Sequence, residues 1–230
     1  MAPILFSIGQ FSLPSFGLFL ALGFIFATVL VWRQARAWDL DEEKVLDLTL
    51  LSFFGGLIGA RIYFIFAHLN FFLAEPIKIF LFNRYPGFSF WGGMIAGGLI
   101  LIYASKRFKQ NIWQIGDTAI LGLIGGMVFG QLGCFFGGCS AGIESSAFFA
   151  SSVVGLVGKR FPVSLIEAII LALLLFRLWP QAIKFHVFGR VLSKGLIYLG
   201  FIKLILEEYH DQKGGYFFSM LLIFLGIFVH

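Results

Sequence analysis

Long apolar runs separated by short polar intervals set the pattern of this chain. A helix that crosses a bilayer needs about 20 largely apolar residues, within a range of about 17–25. Runs of that kind lie at about 14–32, 46–68, 88–105, 117–136, 162–178, 189–207 and 215–229, the fifth and seventh being short. They predict an all-α, polytopic membrane protein of about seven transmembrane helices, with residues 1–230 forming a single transmembrane domain. The apolar run near 71–82 is too short to cross and is broken by Glu75-Pro76, which predicts an interfacial or re-entrant element. Residues 143–158 suit a short surface helix. The N-terminus lacks a basic region followed by a small-residue cleavage site, so the first run reads as a retained helix. Neither an internal repeat nor the matched pair of broken helices of an alternating-access transporter is present.

Composition strengthens the membrane reading. Hydrophobic residues make up 59% of the chain and charged ones 13%, with a mean hydropathy of +0.93, whereas soluble domains are roughly a quarter charged. The 31 Phe suit lipid-facing helix surfaces. A net charge of +5 would suggest nucleic acid as a partner of a soluble protein, but here the basic residues cluster in short intervals between apolar runs, which argues for membrane orientation and against nucleic acid. With the N-terminus outside, the inner intervals hold Arg33, Arg36, Lys44, Lys106, Arg107, Lys109, Arg177, Lys184, Arg190 and Lys194. The outer ones hold Lys78, Arg84, Lys159, Arg160 and Lys213. That bias predicts an N-out, C-in topology.

Two basic residues fall inside predicted spans, Arg61 and Lys203. A charge at the bilayer centre costs at least about 2.5 kcal/mol on insertion scales, so such residues face a cavity or a partner. Arg61 follows a glycine-rich mid-span stretch and points to anion binding. Glu167 and Glu207 are the acidic companions, and Lys203 with Glu207 has the spacing of an i,i+4 ion pair. The stretch from Gly122 to Gly142 is apolar yet too rich in glycine for an ordinary spanning helix, because each interior Gly costs roughly 1 kcal/mol relative to Ala. Its glycines predict close approach of backbone to a neighbouring helix or a lipid headgroup. Cys134 and Cys139 give neither a disulfide framework nor a metal-site spacing, and a pair of free, buried cysteines is the expectation. No metal and no cofactor are predicted. His68 and His210 read as interfacial groups, and the charged run Asp39 to Lys44 as a solvated loop.

Five stretches in register resemble the bacterial prolipoprotein diacylglyceryl transferases: Gly55-Gly-Leu-Ile-Gly-Ala-Arg61, Phe88-Ser-Phe-Trp-Gly-Gly93, Gly130-Gln-Leu-Gly-Cys-Phe-Phe-Gly-Gly138, Pro162-Val-Ser-Leu-Ile-Glu167 and Lys203-Leu-Ile-Leu-Glu207. The resemblance runs from about residue 16 to the C-terminus. It implies a multi-pass protein of the bacterial plasma (inner) membrane. The implied partners are phosphatidylglycerol or a related anionic phospholipid and the lipobox segment of a preprolipoprotein. The implied reaction moves the diacylglyceryl group onto a lipobox cysteine thiol and releases glycerol phosphate. Arg61, Gly92, Gly93, Gly133, Gly138 and Glu167 match family positions expected to bind substrate, and Glu207 matches a second family acid. Trp91 stands where well-studied members have His, Gln131 where they have Arg, and Lys203 in place of another Arg. Cys134 and Cys139 stand where they have Asn and Glu, and Phe161, Ser164 and Ile166 replace His, Gln and Tyr.

The implied division of labour is catalytic for Lys203, Glu207, Gln131 and Trp91. Arginine suits the donor phosphate because its planar fork pairs two oxygens, and Gln131 can donate to phosphate without neutralising it. The substrate thiol must become thiolate to attack a glycerol carbon. Two other readings stay open: a non-catalytic relative that binds lipid or a membrane partner, and a thiol- or metal-dependent function built on Cys134 and Cys139.

Overall fold

A computed structural model of the chain describes residues 4–8, 11–74, 77, 87–139, 142–146, 150–152, 158–184, 187–211 and 214–229. Their order is a hairpin of β1 (Ile4–Ile8) and β2 (Phe11–Pro14), α1 (Ser15–Ala37), α2 (Glu42–Ala67), α3 (Leu69–Ala74), α4 (Phe90–Arg107) and α5 (Ile112–Gly137). There follow β3 (Ser151–Ser152), β4 (Lys159–Arg160), α6 (Val163–Ile183), α7 (Arg190–Glu207) and α8 (Tyr216–Val229). Each predicted apolar run is helical, and α1, α2, α5 and α6 are long and apolar enough to cross a membrane. The chain divides into two compact units, Asp41–Ile115 and Met1–Leu40 with Gly116–His230.

The run Asp39 to Lys44, whose part from Asp41 on belongs to the first unit, is not all solvated loop. Asp41 is the N-cap of α2 and accepts from the Lys44 amide at 3.2 Å, placing Glu42 and Glu43 in the first helical turn, where acids favour the helix dipole. The Lys44 side chain, 2.6 Å away, holds the Asp41 carboxyl below its usual value. α2 packs along α4 through small residues. The Ser52 hydroxyl donates to Gly97 O at 2.9 Å. A Cβ on Gly56 would sit 3.2 Å from Gly93 O, and one on Gly59 or Gly92 would collide with Ala96 or Tyr63. In a bilayer, where lipid is as apolar as Leu, such close backbone approach is what drives association. The run near 71–82 gives α3 at its start, and Glu75-Pro76 and the rest, Ile77 apart, lie outside the described residues.

In the second unit, α5 uses its glycines against α1, as their number predicts. A Cβ on Gly23 would lie 2.9 Å from Gly126 O, one on Gly122 2.6 Å from Val31, and one on Gly133 2.8 Å from Phe19. α7 packs along α8 in the same manner, with the Ser193 hydroxyl donating to Gly226 O at 2.7 Å and Gly200 facing Ser219 O. α6 continues past the expected end near 178 and carries Pro180 inside it. That proline removes one backbone hydrogen bond, a loss that helices in membranes tolerate when neighbours re-satisfy the carbonyl.

The expected surface helix over 143–158 is not found among the described residues of that segment, 143–146, 150–152 and 158, which include extended, paired stretches. Ser151 and Ser152 pair with Arg160 and Lys159, Glu144 bridges Arg160, and Gly142 bridges His210. Glycine at 142 and 158 and three consecutive small residues from 150 weaken a helix more than the apolar pattern suggests.

Candidate functional site

Glu167 and Lys203 form the polar centre of the second unit. Glu167 sits on the second turn of α6, 1% exposed, and Lys203 Nζ reaches it from α7 at 2.6 Å. Both side chains are largely withdrawn from solvent, and the acid thereby offsets the cost of holding an ammonium inside. Ser164, one turn before Glu167, is also buried, and its hydroxyl has no hydrogen-bond partner among the described residues. Glu207, a turn beyond Lys203, points its Oε1 at the start of α8, accepting from the amides of Gly214 at 2.6 Å and Gly215 at 2.5 Å. It therefore joins the end of α7 to the beginning of α8.

These helix ends are held by a small extended cap. Ile143 N donates to Tyr209 O and Phe161 N to Ile143 O, both at 3.0 Å, and Ser145 N donates to Lys159 O. Arg160 gathers the strands: its guanidinium donates to Gly142 O at 3.4 Å and to Glu144 at 3.3 Å, and lies 3.7 Å from Asp211. Phe161 stacks on Tyr209 with ring centroids 5.0 Å apart. The sequence marks Arg160 only as an outer-interval charge; its place just ahead of the Pro162 stretch was the available signal.

The glycine-rich signature ends α5 beside a covalent bridge. Gly138, at φ 71, donates to Cys134 O at 2.9 Å and turns the chain at the helix end. Only a residue without a Cβ adopts that conformation freely. The turn brings the Cα of Cys139 to 5.0 Å from that of Cys134, and the two are joined in a disulfide. This corrects the expectation of free, buried cysteines, since a five-residue separation closes only when the helix stops between them. Among the described residues no group of His, Cys, Asp and Glu could hold a metal ion. Gln131, half-buried, lies one turn before Cys134, and Gly133 faces Phe16 and Phe19 of α1.

In the unit of α2 to α4, Arg61 is buried, 6% exposed, despite its mid-span charge. Its guanidinium donates to Gly87 O at 3.0 Å and lies 5.6 Å over the ring of Phe72 and 5.9 Å over that of Phe64. Together with the hydrogen bond from Ser89 N to Ala60 O at 3.0 Å, it fixes the entry to α4, where Ser89 is the N-cap. Trp91 follows in the first turn of α4 against Phe90. Gly92 and Gly93 face α2, so the geometry gives them helix packing. Sequence reasoning also missed Asp117, which is fully buried on α5 and accepts from Gly189 N at 2.8 Å and Leu192 N at 2.6 Å, capping α7.

Several apolar helices, with the Glu167–Lys203 pair and the Arg61 guanidinium buried among the described residues, define an all-α membrane protein. The match to known proteins narrows this class. Residues 3–230 fit the family described as prolipoprotein diacylglyceryl transferase, and the chain belongs to that family. It is similar to phosphatidylglycerol–prolipoprotein diacylglyceryl transferase 2 of Clostridium perfringens, 29% identical across 72% of this chain and 66% of that protein. It is also similar to the phosphatidylglycerol–prolipoprotein diacylglyceryl transferases of Clostridium tetani, 24% identical across 100% of this chain and 96% of the other, and of Wigglesworthia glossinidia brevipalpis, 29% identical across 98% and 80%. Against the Rhodopirellula baltica transferase, 35% identical, the chain spans only 27% of the relative's length. The family is thus one of bacterial membrane transferases.

Proposed function

We propose that this chain transfers the diacylglyceryl group of phosphatidylglycerol to the lipobox cysteine of a preprolipoprotein. The observation that carries this reading is the buried Glu167–Lys203 pair, which joins α6, a helix long and apolar enough to cross a membrane, to α7 in a chain that belongs to this family. In the reaction the substrate thiolate attacks the glycerol carbon that bears the phosphate. A carbon–sulfur bond forms, the carbon–oxygen bond breaks, and glycerol phosphate leaves with the electron pair. The thiol proton must be taken up, and the leaving phosphate must be held.

The roles follow from chemistry. Lys203 and Arg61 supply positive charge for the donor phosphate, and Gln131 supplies a hydrogen-bond donor. Glu167 orients Lys203, and Glu207 manages the thiol proton through the oxygen not engaged with Gly214. Trp91 places an N–H donor at the start of α4. Gly92 and Gly93 hold α4 close to α2 in their unit, and Gly133 and Gly138 hold the end of α5 and its turn in theirs, each keeping its substrate-binding residues in place. Seven spans, an N-out and C-in orientation, one transmembrane domain over 1–230 and residence in the inner membrane complete the reading, supported by the ten-to-five distribution of Lys and Arg.

The test is transfer of labelled diacylglycerol from phosphatidylglycerol to a lipobox peptide by purified protein in lipid nanodiscs. Transfer is expected for the native chain, abolished by Arg61→Ala and at least partly kept by Cys139→Ser. The reverse pattern would overturn the assignment and favour chemistry at the cysteines. No transfer, with phosphatidylglycerol still bound, would identify a lipid-binding relative without the reaction.

A further inference from the structure

The ends of α6 and α7 remote from the Glu167–Lys203 pair carry a second polar constellation that the transfer reaction does not use. On α6, Gln181 is about 21 Å along the axis from Glu167 at 1.5 Å per residue. A cleft of about 210 Å³ opens there, lined by Gln181, Arg190, Val191 and Lys194. Arg190 and Lys194 are one turn apart on α7 and share a face. Lys194 Nζ donates to Gln181 Oε1 at 2.7 Å, and Gln181 Nε2 donates to Arg177 O at 3.1 Å. The ammonium is therefore held across the cleft rather than extended into solvent, over a floor made by buried Val191.

Basic residues dominate the charge of α6, α7 and the interval that joins them. No Asp or Glu occurs between residues 168 and 206, whereas Arg177 lies one turn before Gln181 on α6 and Lys184 is the C-cap of that helix. Asp117, an acid that approaches from α5, is buried and accepts from the amides of Gly189 and Leu192. Topology demands basic residues at one membrane face, but it does not demand that two of them converge on one cleft with an amide between them. Continuing from Lys194 toward the membrane centre, Tyr198 and Phe201 lie on the same face of α7 at i+4 and i+7, and both are exposed. A cationic mouth above an exposed apolar stripe has the chemistry of a phospholipid site.

We infer that the Gln181–Arg190–Lys194 cleft binds the phosphate of an anionic phospholipid in the leaflet opposite the Glu167–Lys203 pair, with an acyl chain along Tyr198 and Phe201. Arg190 supplies the planar fork, Lys194 the second charge and Gln181 a neutral donor. The inference stands apart from the transfer reaction, whose donor site lies at the other end of these helices.

Native mass spectrometry of delipidated protein in detergent, titrated with phosphatidylglycerol, phosphatidylcholine or inorganic phosphate, tests it. The native chain is expected to retain one more equivalent of phosphatidylglycerol than the Arg190→Gln/Lys194→Gln variant, with no difference for phosphatidylcholine. Arg190→Lys, which keeps the charge but not the fork, is expected to hold the extra lipid more weakly than the native chain but more tightly than the double variant, and Gln181→Ala to weaken it several-fold, so the outcome does not hang on one variant's folding. Equal retention by the native chain and both the double variant and Gln181→Ala would overturn the site. Displacement of the extra lipid by millimolar inorganic phosphate would overturn the lipid assignment and leave a site for a free phosphoanion. Loss of the extra lipid with diacylglyceryl transfer unchanged would separate this cleft from the donor site.

Discussion

A lysine inside an apolar helix needs a reason, and Glu167 supplies it. Replacing Glu167 by Gln leaves the Lys203 ammonium without its acid at a site where Lys203 is 13% exposed. Breaking such a pair costs about 3–5 kcal/mol where it is fully buried. The expected result is a lower melting temperature together with loss of transfer. The Glu167→Gln/Lys203→Met double variant is expected to be more stable than Glu167→Gln alone, since it removes the stranded charge, and a thermodynamic cycle over the four proteins checks this. If the double variant regained activity, Lys203 would not be the group that meets the phosphate. Arg61 presents a different case, because it is engaged with Gly87 O and two rings. Arg61→Lys keeps a charge but loses the planar fork, so transfer is expected to fall by more than tenfold while the protein stays folded, measured in the same assay.

Helix pairs in this chain are set by what is small. Gly59→Val would drive a side chain into Ala96 of α4, and overpacking of that kind costs typically about 1–3 kcal/mol. Thermal unfolding should show that loss, and Gly98→Ala, with nothing near its Cβ, should not. At the end of α5 the disulfide restrains a turn already favoured by Gly138. For so short a loop the chain-entropy estimate is about 2 kcal/mol. Cys134→Ser/Cys139→Ser is accordingly expected to lower the melting temperature while leaving part of the transfer activity, and the native chain in reductant should behave the same way. A complete loss of activity on reduction, at a temperature where the protein remains folded, would place the bridge in the chemistry.

For the molecule as a whole, orientation rests on basic residues that flank the apolar helices. A reporter that matures only outside the cytoplasm, fused after residue 230, is expected to be silent, and the same reporter placed in the 142–146 segment to be active. The opposite result would reverse the topology and with it the faces assigned to Lys203 and to the Arg190–Lys194 cleft.

The sequence by itself determined the helices, because apolar run length against bilayer thickness is a one-dimensional property, and it determined the family, because five short motifs kept their order. It also singled out Arg61, Glu167 and Lys203, since a charge within an apolar run is visible without coordinates. Which acid meets Lys203 was decided by tertiary structure: the i,i+4 spacing pointed to Glu207, whereas α6 brings Glu167 to 2.6 Å across the α6–α7 contact. The cysteines were misread for the same reason, since their bridge depends on a helix end and on Gly138 at positive φ. The cap around Arg160 and the anchoring of α7 by Asp117 join residues 51 and 75 positions apart or span several strands. No local pattern encodes pairings of that range; they exist only once packing has fixed where each helix ends.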